Sequence, residues 1–438
     1  MRKILKKLLP QSIFDKYYYY TSVLGSAIYG FPSEKMIVIG VTGTKGKTST
    51  INFIWTCLMA GGYKTGIIST ANIKIGDEEV LNSYHMTMPG RFVISSLMAK
   101  MVRSGCKFCI VETTSEGIKQ HRHVGIVYDI FVFTNLYPEH LPSHDNSFDK
   151  YKATKGIPFR ELNNQSKTID GKKINRIIIA NKDSEHAEYY LQFNADKKCT
   201  FSIRDISENR AVDIVSQPDS VKFKLNGEEY LLKILGQFNI YNALPAIIIA
   251  KQFNINYENI KNGLLQLNLI PGRMELINAG QNYTAIVDYA HEKESMTNVL
   301  KTAISIRKSP TNKIIVLLGA EGGGRDKSKR PIMGKIAAEL ADYVIVANVD
   351  PYEDNPTEIA EDIARSSEQN GKIRNQNLFV IEDRRLAIEK AISLANKDDI
   401  VIITGKGAEQ SMIIGGRSIP WDDRNVVRDV IIESLKNK

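Results

Sequence analysis

The stretch Thr42-Gly43-Thr44-Lys45-Gly46-Lys47-Thr48 lies between a short apolar run at 36–40 and a helical stretch that reaches residue 60. Glycines where a strand ends and a helix begins let backbone N–H groups curl around phosphate oxygens, and the helix N-terminus adds its positive end. In such a loop Lys47 would reach the β- and γ-phosphates and the Thr48 hydroxyl would ligate magnesium. The strict pattern G-x-x-x-x-G-K-[ST] wants glycine at position 41, where this chain has Val41. Strand, loop, Lys-Thr pair and helix still occur in the order that a nucleotide site requires.

A second set of residues bears on the same chemistry from farther along the chain. Glu112 ends the apolar run CKFCIVE, within reach of the phosphate loop if the two strands are neighbours, and a carboxylate there suits Mg²⁺. By residue type alone, His140 in PEHL reads as a hydrogen-bonded loop histidine and Lys155 in YKATK as a solvated helix lysine. Alternation points Cys106 and Cys109 to opposite faces of their strand. With no second C-x-x-C they read as buried core thiols rather than zinc ligands.

The chain that must position these groups has 438 residues, 43% of them hydrophobic and 24% charged. At roughly 100–200 residues per domain that makes two or three domains. Ordinary Gly, Pro and charge content excludes a disordered, collagen-like or disulfide-scaffold protein. Four cysteines cannot staple such a chain, which points to a reducing, cytoplasmic setting. A net charge of +9 fits nucleic acid, an acidic membrane surface or a polyanionic small substrate. Neither half carries the aromatic-interleaved basic patches of a nucleic-acid binder.

The pattern is α/β. Strands are expected at 36–40, 66–70, 106–111, 130–134 and 176–180, followed by an alternating stretch at 200–235 with Asn226-Gly227 as a hairpin signal. A second alternating block begins near Pro271-Gly272, with strands at 283–287, 313–318, 343–347, 378–381 and 400–404 and helices at 329–340 and 355–369. Five strands alternating with helices predict a parallel, doubly wound sheet. The expected segments are therefore an appendage at 1–35, a nucleotide-binding domain at 36–271 and a Rossmann-like domain at 272–438. In the appendage, Arg2, Lys3, Lys6 and Lys7 alternate with Ile4, Leu5, Leu8 and Leu9, and a stretch without charge runs from Tyr17 to Ser33. Three readings compete for it: a helix packed on the protein's own core, a membrane-surface anchor, and a spanning helix.

At this point a resemblance becomes specific. TGTKGKTST resembles the phosphate loop of the Mur ligases, the ATP-dependent amide-forming enzymes of peptidoglycan precursor synthesis. ETTSEGIKQHR at 112–122, TNLYPEHL at 134–141, YKATK at 151–155 and LGQFNIYNA at 235–243 resemble the branch that adds the third peptide residue. So do PGRME at 271–275, VDYAH at 287–291, GGGRDKSKRPIMG at 322–334 and GKGAE at 405–409. The resemblance implies a central phosphate-loop ATPase domain and a C-terminal Rossmann-like ligase domain, with ATP and Mg²⁺ as cofactors. It also implies a reaction in which the ATP γ-phosphate moves to a substrate carboxylate before an amine displaces it.

Residue by residue, the resemblance implies catalytic roles for Lys47, Glu112, His140 and Lys155. The metal would be held by Thr48, Glu112, His140 and Lys155, the last as a carbamate. Nucleotide contacts would come from Thr42 through Thr48, Asn135, Arg273, Asp288 and His291. The muramoyl-peptide acceptor would meet Thr87, Thr114, Gln120 and Arg122, alongside His121. Arg325 would bind the incoming amino acid's carboxylate, and Gly405 and Glu409 would receive the far end of a diamino acid.

Two departures stand out. Where diaminopimelate-adding relatives carry Asp-Asn-Pro-Arg, this chain reads Val349-Asp350-Pro351-Tyr352, so the arginine for the distal carboxylate is a tyrosine. Lysine, ornithine or another amino acid becomes at least as plausible. In addition, only the 35-residue appendage precedes the first strand, where the family has a domain for the UDP part of its acceptor. The leading expectation is a ligase extending a muramoyl-type peptide. Its variants use a UDP-free or lipid-linked acceptor with peripheral membrane contact through the N-terminus, or act as folylpolyglutamate-type, polyglutamate-forming or glutamate-amidating ligases. A non-catalytic scaffold on the same fold is the reading from a different class.

Overall fold

A computed structural model describes residues 11–436 except 83, 85, 140, 165 and 218. The chain forms two compact units. One gathers the residues up to Ile214 with Lys222–Leu232 and Asn239–Leu267, and the other gathers Val215–Val221, Lys233–Phe238 and Asn268–Lys438.

The first unit is built on Ile37–Thr42, a strand buried along its whole length. Such an uninterrupted apolar run needs cover on both faces and neighbours on both edges. It pairs in parallel with Phe108–Glu112 on one side and Ile130–Phe133 on the other, and the register sets Val41 opposite Glu112. The parallel sheet continues through Thr65–Ile68 on one flank and through Ile177–Asn181 and Lys197–Ser202 on the other. Val38, Val111, Phe131, Phe133 and Ile178 share a core with Leu97 and Met98 of the helix Arg91–Arg103 and Tyr151 and Phe159 of the helix Phe148–Glu161. An antiparallel edge hairpin, Asn72–Ile75 with Glu78–Leu81, extends the sheet beyond the strands expected from the sequence. At the other margin the Asn226-Gly227 turn joins Val221–Leu225 to Glu228–Leu232 as expected.

Cys106 and Cys109 are both buried and unpaired, yet they pack in one core cluster rather than on opposite faces. The strand begins at Phe108, so the alternation never reaches Cys106. The helix Gln11–Ile28 is the first described element, and the basic residues Arg2, Lys3, Lys6 and Lys7 lie outside the described residues. No helix among the described residues is long and apolar enough to cross a membrane, which removes the spanning-helix reading there.

The second unit carries a six-stranded sheet with the five expected strands in the spatial order Thr284–Asp288, Ile400–Thr404, Ile314–Leu318, Tyr343–Val346, Leu378–Val380, all parallel. Glu275–Leu276 adds an antiparallel edge. Alternate residues face opposite layers. Ile286, Val316, Leu318, Val344 and Ile402 meet helices Lys293–Ile306, Lys329–Leu340 and Pro356–Gln369. Val287, Ile315, Leu317, Ile345 and Ile403 meet helices Arg384–Ser393 and Asp423–Lys436. Two helical layers on one parallel sheet make this the doubly wound unit that the alternation predicted.

Candidate active site

In both units the chemistry-bearing residues gather at the carboxyl ends of parallel strands, where loops leave the sheet and helix N-termini begin. In the first unit the loop after Ile37–Thr42 leads directly into the helix Lys47–Ala60, with Gly46 as its N-cap. Two glycines there are required by space as well as by dihedral angle. Gly43 has φ +146° and a Cβ on it would lie 1.9 Å from Thr134 Oγ1. Gly46 has φ +81° and a Cβ would lie 2.3 Å from Asn242 Oδ1. The cradle is braced from the next strand's end: Thr44 N donates to Asn135 O at 2.9 Å and Lys45 N to Asn135 Oδ1 at 2.8 Å. Thr134 Oγ1 donates to Lys45 O at 2.7 Å, and the Lys45 ammonium pairs with Glu139. Asn135 thus fixes the loop's shape. The Thr42 side chain is buried at the loop's start.

Lys47 Nζ lies against the loop carbonyls of Gly43 and Thr44, at 3.0 and 2.9 Å. Thr48 Oγ1, in the first turn of the helix, donates to Glu112 Oε2 at 2.9 Å, at the end of the strand paired with Ile37–Thr42. Thr70 completes that cluster through its amide to Glu112 Oε2 (2.9 Å) and its hydroxyl to Glu112 Oε1 (3.0 Å), and it lies 2.8 Å from the Thr87 hydroxyl. The hydroxyls and buried carboxylate form a hard-oxygen set of the kind Mg²⁺ prefers, next to a glycine cradle shaped for phosphate.

Lys155 overturns the reading by residue type. It is only 2% exposed, because the helix Phe148–Glu161 turns that side chain inward beneath the phosphate loop. Its Nζ donates to Gly43 O at 2.9 Å and lies 4.8 Å from the Tyr151 ring centre. Burial, with the like charge of Lys47 second, holds its ammonium well below the usual lysine range. A buried amine held toward its neutral form is the species that reacts with carbon dioxide. His140 lies outside the described residues.

The acceptor residues expected from the motif 112–122 cluster on the turn after Glu112. Thr114 caps the short helix Ser115–Lys119, its side chain accepting from Gly117 N. Arg122 bridges Met88 O and Gln120 Oε1, the latter at 2.7 Å, and the Arg91 guanidinium reaches Gln120 O. These contacts fix Arg122 and Gln120 relative to each other and to the Thr87–Met88 segment.

In the second unit Arg325, Asp350, Tyr352, Gly405 and Glu409 all lie on loops at one end of the sheet. Lys406, unexpected as a participant, sits at their centre: its Nζ is 2.8 Å from Asp350 Oδ2 and 2.5 Å from Glu409 Oε2. Tyr289 OH donates to Glu409 Oε1 at 3.0 Å, and Asp350 Oδ1 accepts from Ile413 N at 2.8 Å. Burial raises the Glu409 carboxyl above its ordinary range although Lys406 opposes it. Arg325 lies 3.9 Å from Glu321, and the guanidinium of Arg273 stacks 4.3 Å from the Tyr289 ring. Asp288 holds backbone: its carboxylate accepts from Met274 N and Ala290 N, both at 2.7 Å. His291 Nδ1 is 2.6 Å from Tyr289 O.

The participants that residue-level reading passed over were inside quoted motifs. Glu139 is in PEHL, Tyr151 in YKATK, Asn242 in LGQFNIYNA, Tyr289 in VDYAH and Lys406 in GKGAE. Thr70 had no such flag.

Residues 41–250 match the Mur ligase middle domain and residues 272–407 the Mur ligase, glutamate ligase domain. The chain is 36% identical over 423 residues to the UDP-N-acetylmuramoyl-L-alanyl-D-glutamate--2,6-diaminopimelate ligase of Bacillus cereus, covering 95% of this chain and 82% of that protein. It is 32% identical over 418 residues to the UDP-N-acetylmuramyl-tripeptide synthetase of Roseiflexus sp., covering 94% and 81%. Among solved structures, a UDP-N-acetylmuramoyl-L-alanyl-D-glutamate--2,6-diaminopimelate ligase superposes with a TM-score of 0.60 at 26% identity, over 92% of this chain and 79% of that one. A folylpolyglutamate synthase of Mycobacterium tuberculosis superposes with a TM-score of 0.70 over 98% and 97%, but at 15% identity, a likeness of fold alone.

Proposed function

This chain belongs to the Mur ligase family of ATP-dependent amide-bond-forming enzymes, and we propose that it joins an amino acid to the peptide carboxylate of a muramoyl-peptide-type acceptor in cell-wall precursor synthesis. The observation that carries this reading is the convergence of Lys47, Thr48, Glu112 and Lys155 around one glycine cradle. That cradle lies in a chain alignable over 95% of its length with a diaminopimelate-adding ligase.

The loop amides and Lys47 hold the triphosphate and offset the charge on the transferring oxygens. An acceptor carboxylate oxygen forms a bond to the γ-phosphorus while the bond to ADP breaks, giving an acyl phosphate. The neutral amine of the amino acid then bonds to the acyl carbon, inorganic phosphate leaves and the amine gives up a proton. Thr48 and Glu112 are the oxygens suited to Mg²⁺, which when bound supplies positive charge to the transferring phosphate. Lys155, as its carbamate, would add a carboxylate-like oxygen beside them, formed when its amine bonds to carbon dioxide and releases a proton. Gln120 and Arg122 are suited to the acceptor's carboxylate and amide groups, and Arg325 to the amino acid's carboxylate. Glu409, with Lys406 and Asp350, is the set that meets the far end of the side chain, where Tyr352 supplies a hydroxyl rather than a guanidinium. We place the reaction in the cytoplasm.

The test is phosphate release from Mg-ATP by purified protein across an amino-acid panel, with and without UDP-N-acetylmuramoyl-L-alanyl-D-glutamate. Release that needs both the acceptor and one amino acid is the expected result. Release stimulated instead by a folate and glutamate, with none from the muramoyl acceptor, contradicts the assignment.

A further inference from the structure

The helix Gln11–Ile28 is amphipathic the wrong way round for a helix serving only its own core. The side it turns to the protein carries the small residues Ser22, Gly25 and Ser26 and one buried aromatic, Tyr18. Ser22 Oγ donates to His121 O at 2.7 Å and Ser26 Oγ to Gly125 O at 2.9 Å, while Tyr18 packs 4.2 Å beneath the Arg91 guanidinium. The opposite side carries Ile13, Tyr17, Tyr20, Leu24 and Ile28, each 47–67% exposed. Their spacing of four, three, four and four residues draws one straight stripe along the helix. Asp15 and Lys16 are the only charged residues in the helix, and Phe31 just beyond it is also exposed. A contiguous apolar face of this kind on a soluble unit marks a contact surface.

The neighbouring sequence decides which contact. Immediately before Gln11 the chain reads MRKILKKLLP, four cations in ten residues with no acidic group. Cations next to an apolar stripe rich in tyrosine match an anionic lipid surface, where tyrosine rings sit at headgroup level and lysines meet lipid phosphates. A second copy of the chain would bring the same cations against themselves. One stripe of five side chains is also small beside the roughly 20 residues a side of a stable protein interface.

We propose that this outward stripe, together with the basic segment before it, seats the protein peripherally on an anionic bilayer surface. The inner face of the same helix is bonded to the 121–125 segment, so that segment lies behind the helix, on the side away from the bilayer. The docking does not depend on catalysis and is read without it.

Full-length protein is sedimented with vesicles of phosphatidylcholine alone or containing about one-third phosphatidylserine. The expected result is partition onto the anionic vesicles that weakens as salt rises. Lys6→Ala/Lys7→Ala should lower it by roughly fivefold per cation removed. Tyr20→Glu/Leu24→Glu should lower it at least about tenfold, with the melting temperature unchanged because both side chains are exposed. Absence of binding to anionic vesicles overturns the proposal, as does binding that survives both double variants. A wild-type dimer in sedimentation velocity that Tyr20→Glu/Leu24→Glu dissolves also overturns it, in favour of a second copy.

Discussion

The two constellations are held in place by different physics. Around Lys47 the first unit relies chiefly on backbone geometry, with the Lys45–Glu139 ion pair as an added brace: positive-φ glycines, loop carbonyls and amides, and a carboxylate whose hydrogen-bond donors are the neutral groups of Thr48 and Thr70. Around Lys406 the second unit uses charge: a buried ammonium between two carboxylates, one of them also receiving a tyrosine hydroxyl. A cradle fixed by backbone keeps its shape when one side chain changes. An ion cluster does not, because each member is the solvation of the others. The first arrangement suits a ligand common to a whole enzyme family, the triphosphate. The second can be retuned residue by residue, which suits the part of the reaction that varies, the choice of amino acid.

The sharpest way to break this contrast is Lys406→Met. It strands the Asp350 and Glu409 carboxylates, and denaturant unfolding of the second unit should show a loss of about 3 kcal/mol. Adding Asp350→Asn should return part of that loss, because the desolvated charge goes with it. Full stability in the single variant would mean that the cluster is not held by charge. Next in size is Gly46→Ala, which forces a Cβ onto Asn242 Oδ1 at an angle that side chains rarely adopt. A loss of about 2 kcal/mol and weaker nucleotide binding are expected, read by thermal unfolding and titration calorimetry. Asn242→Ala should relieve the contact but leave the dihedral cost, so recovery should be partial.

A third prediction asks where pH sensitivity enters the stability of the first unit. His123 is buried, its Nδ1 has no hydrogen-bond partner among the described residues, and burial lowers its pKa to about 4. The unfolded chain binds this proton near pH 6.5 and the folded chain only near 4, so the stability is present above 6.5 and is lost as pH falls between those values. Between pH 7 and pH 5 the wild type should lose about 2 kcal/mol more than His123→Phe. Equal losses would mean that His123 charges without cost.

Much of this was legible beforehand, and the exceptions have physical reasons. All five parallel strands of the second unit were readable as apolar runs, because a strand buried on both faces needs apolar residues throughout. The edge hairpin was not: Glu78–Leu81 is largely exposed and carries no apolar pattern. Thr48 and Glu112 could be paired in advance because their motifs sit at the ends of strands that proved adjacent. Lys155 and Thr70 could not, since burial of a lysine depends on which way a helix faces, and Thr70 is brought in by tertiary register alone. Lys406 was hidden by its charge type, as a lysine between two carboxylates looks in sequence like any solvated lysine.

The most direct test of the central claim compares phosphate release by the wild type, Lys47→Ala and Glu112→Ala in the presence of Mg-ATP, acceptor and amino acid, on protein shown by melting to be folded. The account predicts that each substitution lowers turnover by at least about 10²–10³-fold. Wild-type turnover in either variant would contradict it and remove the glycine cradle from the reaction.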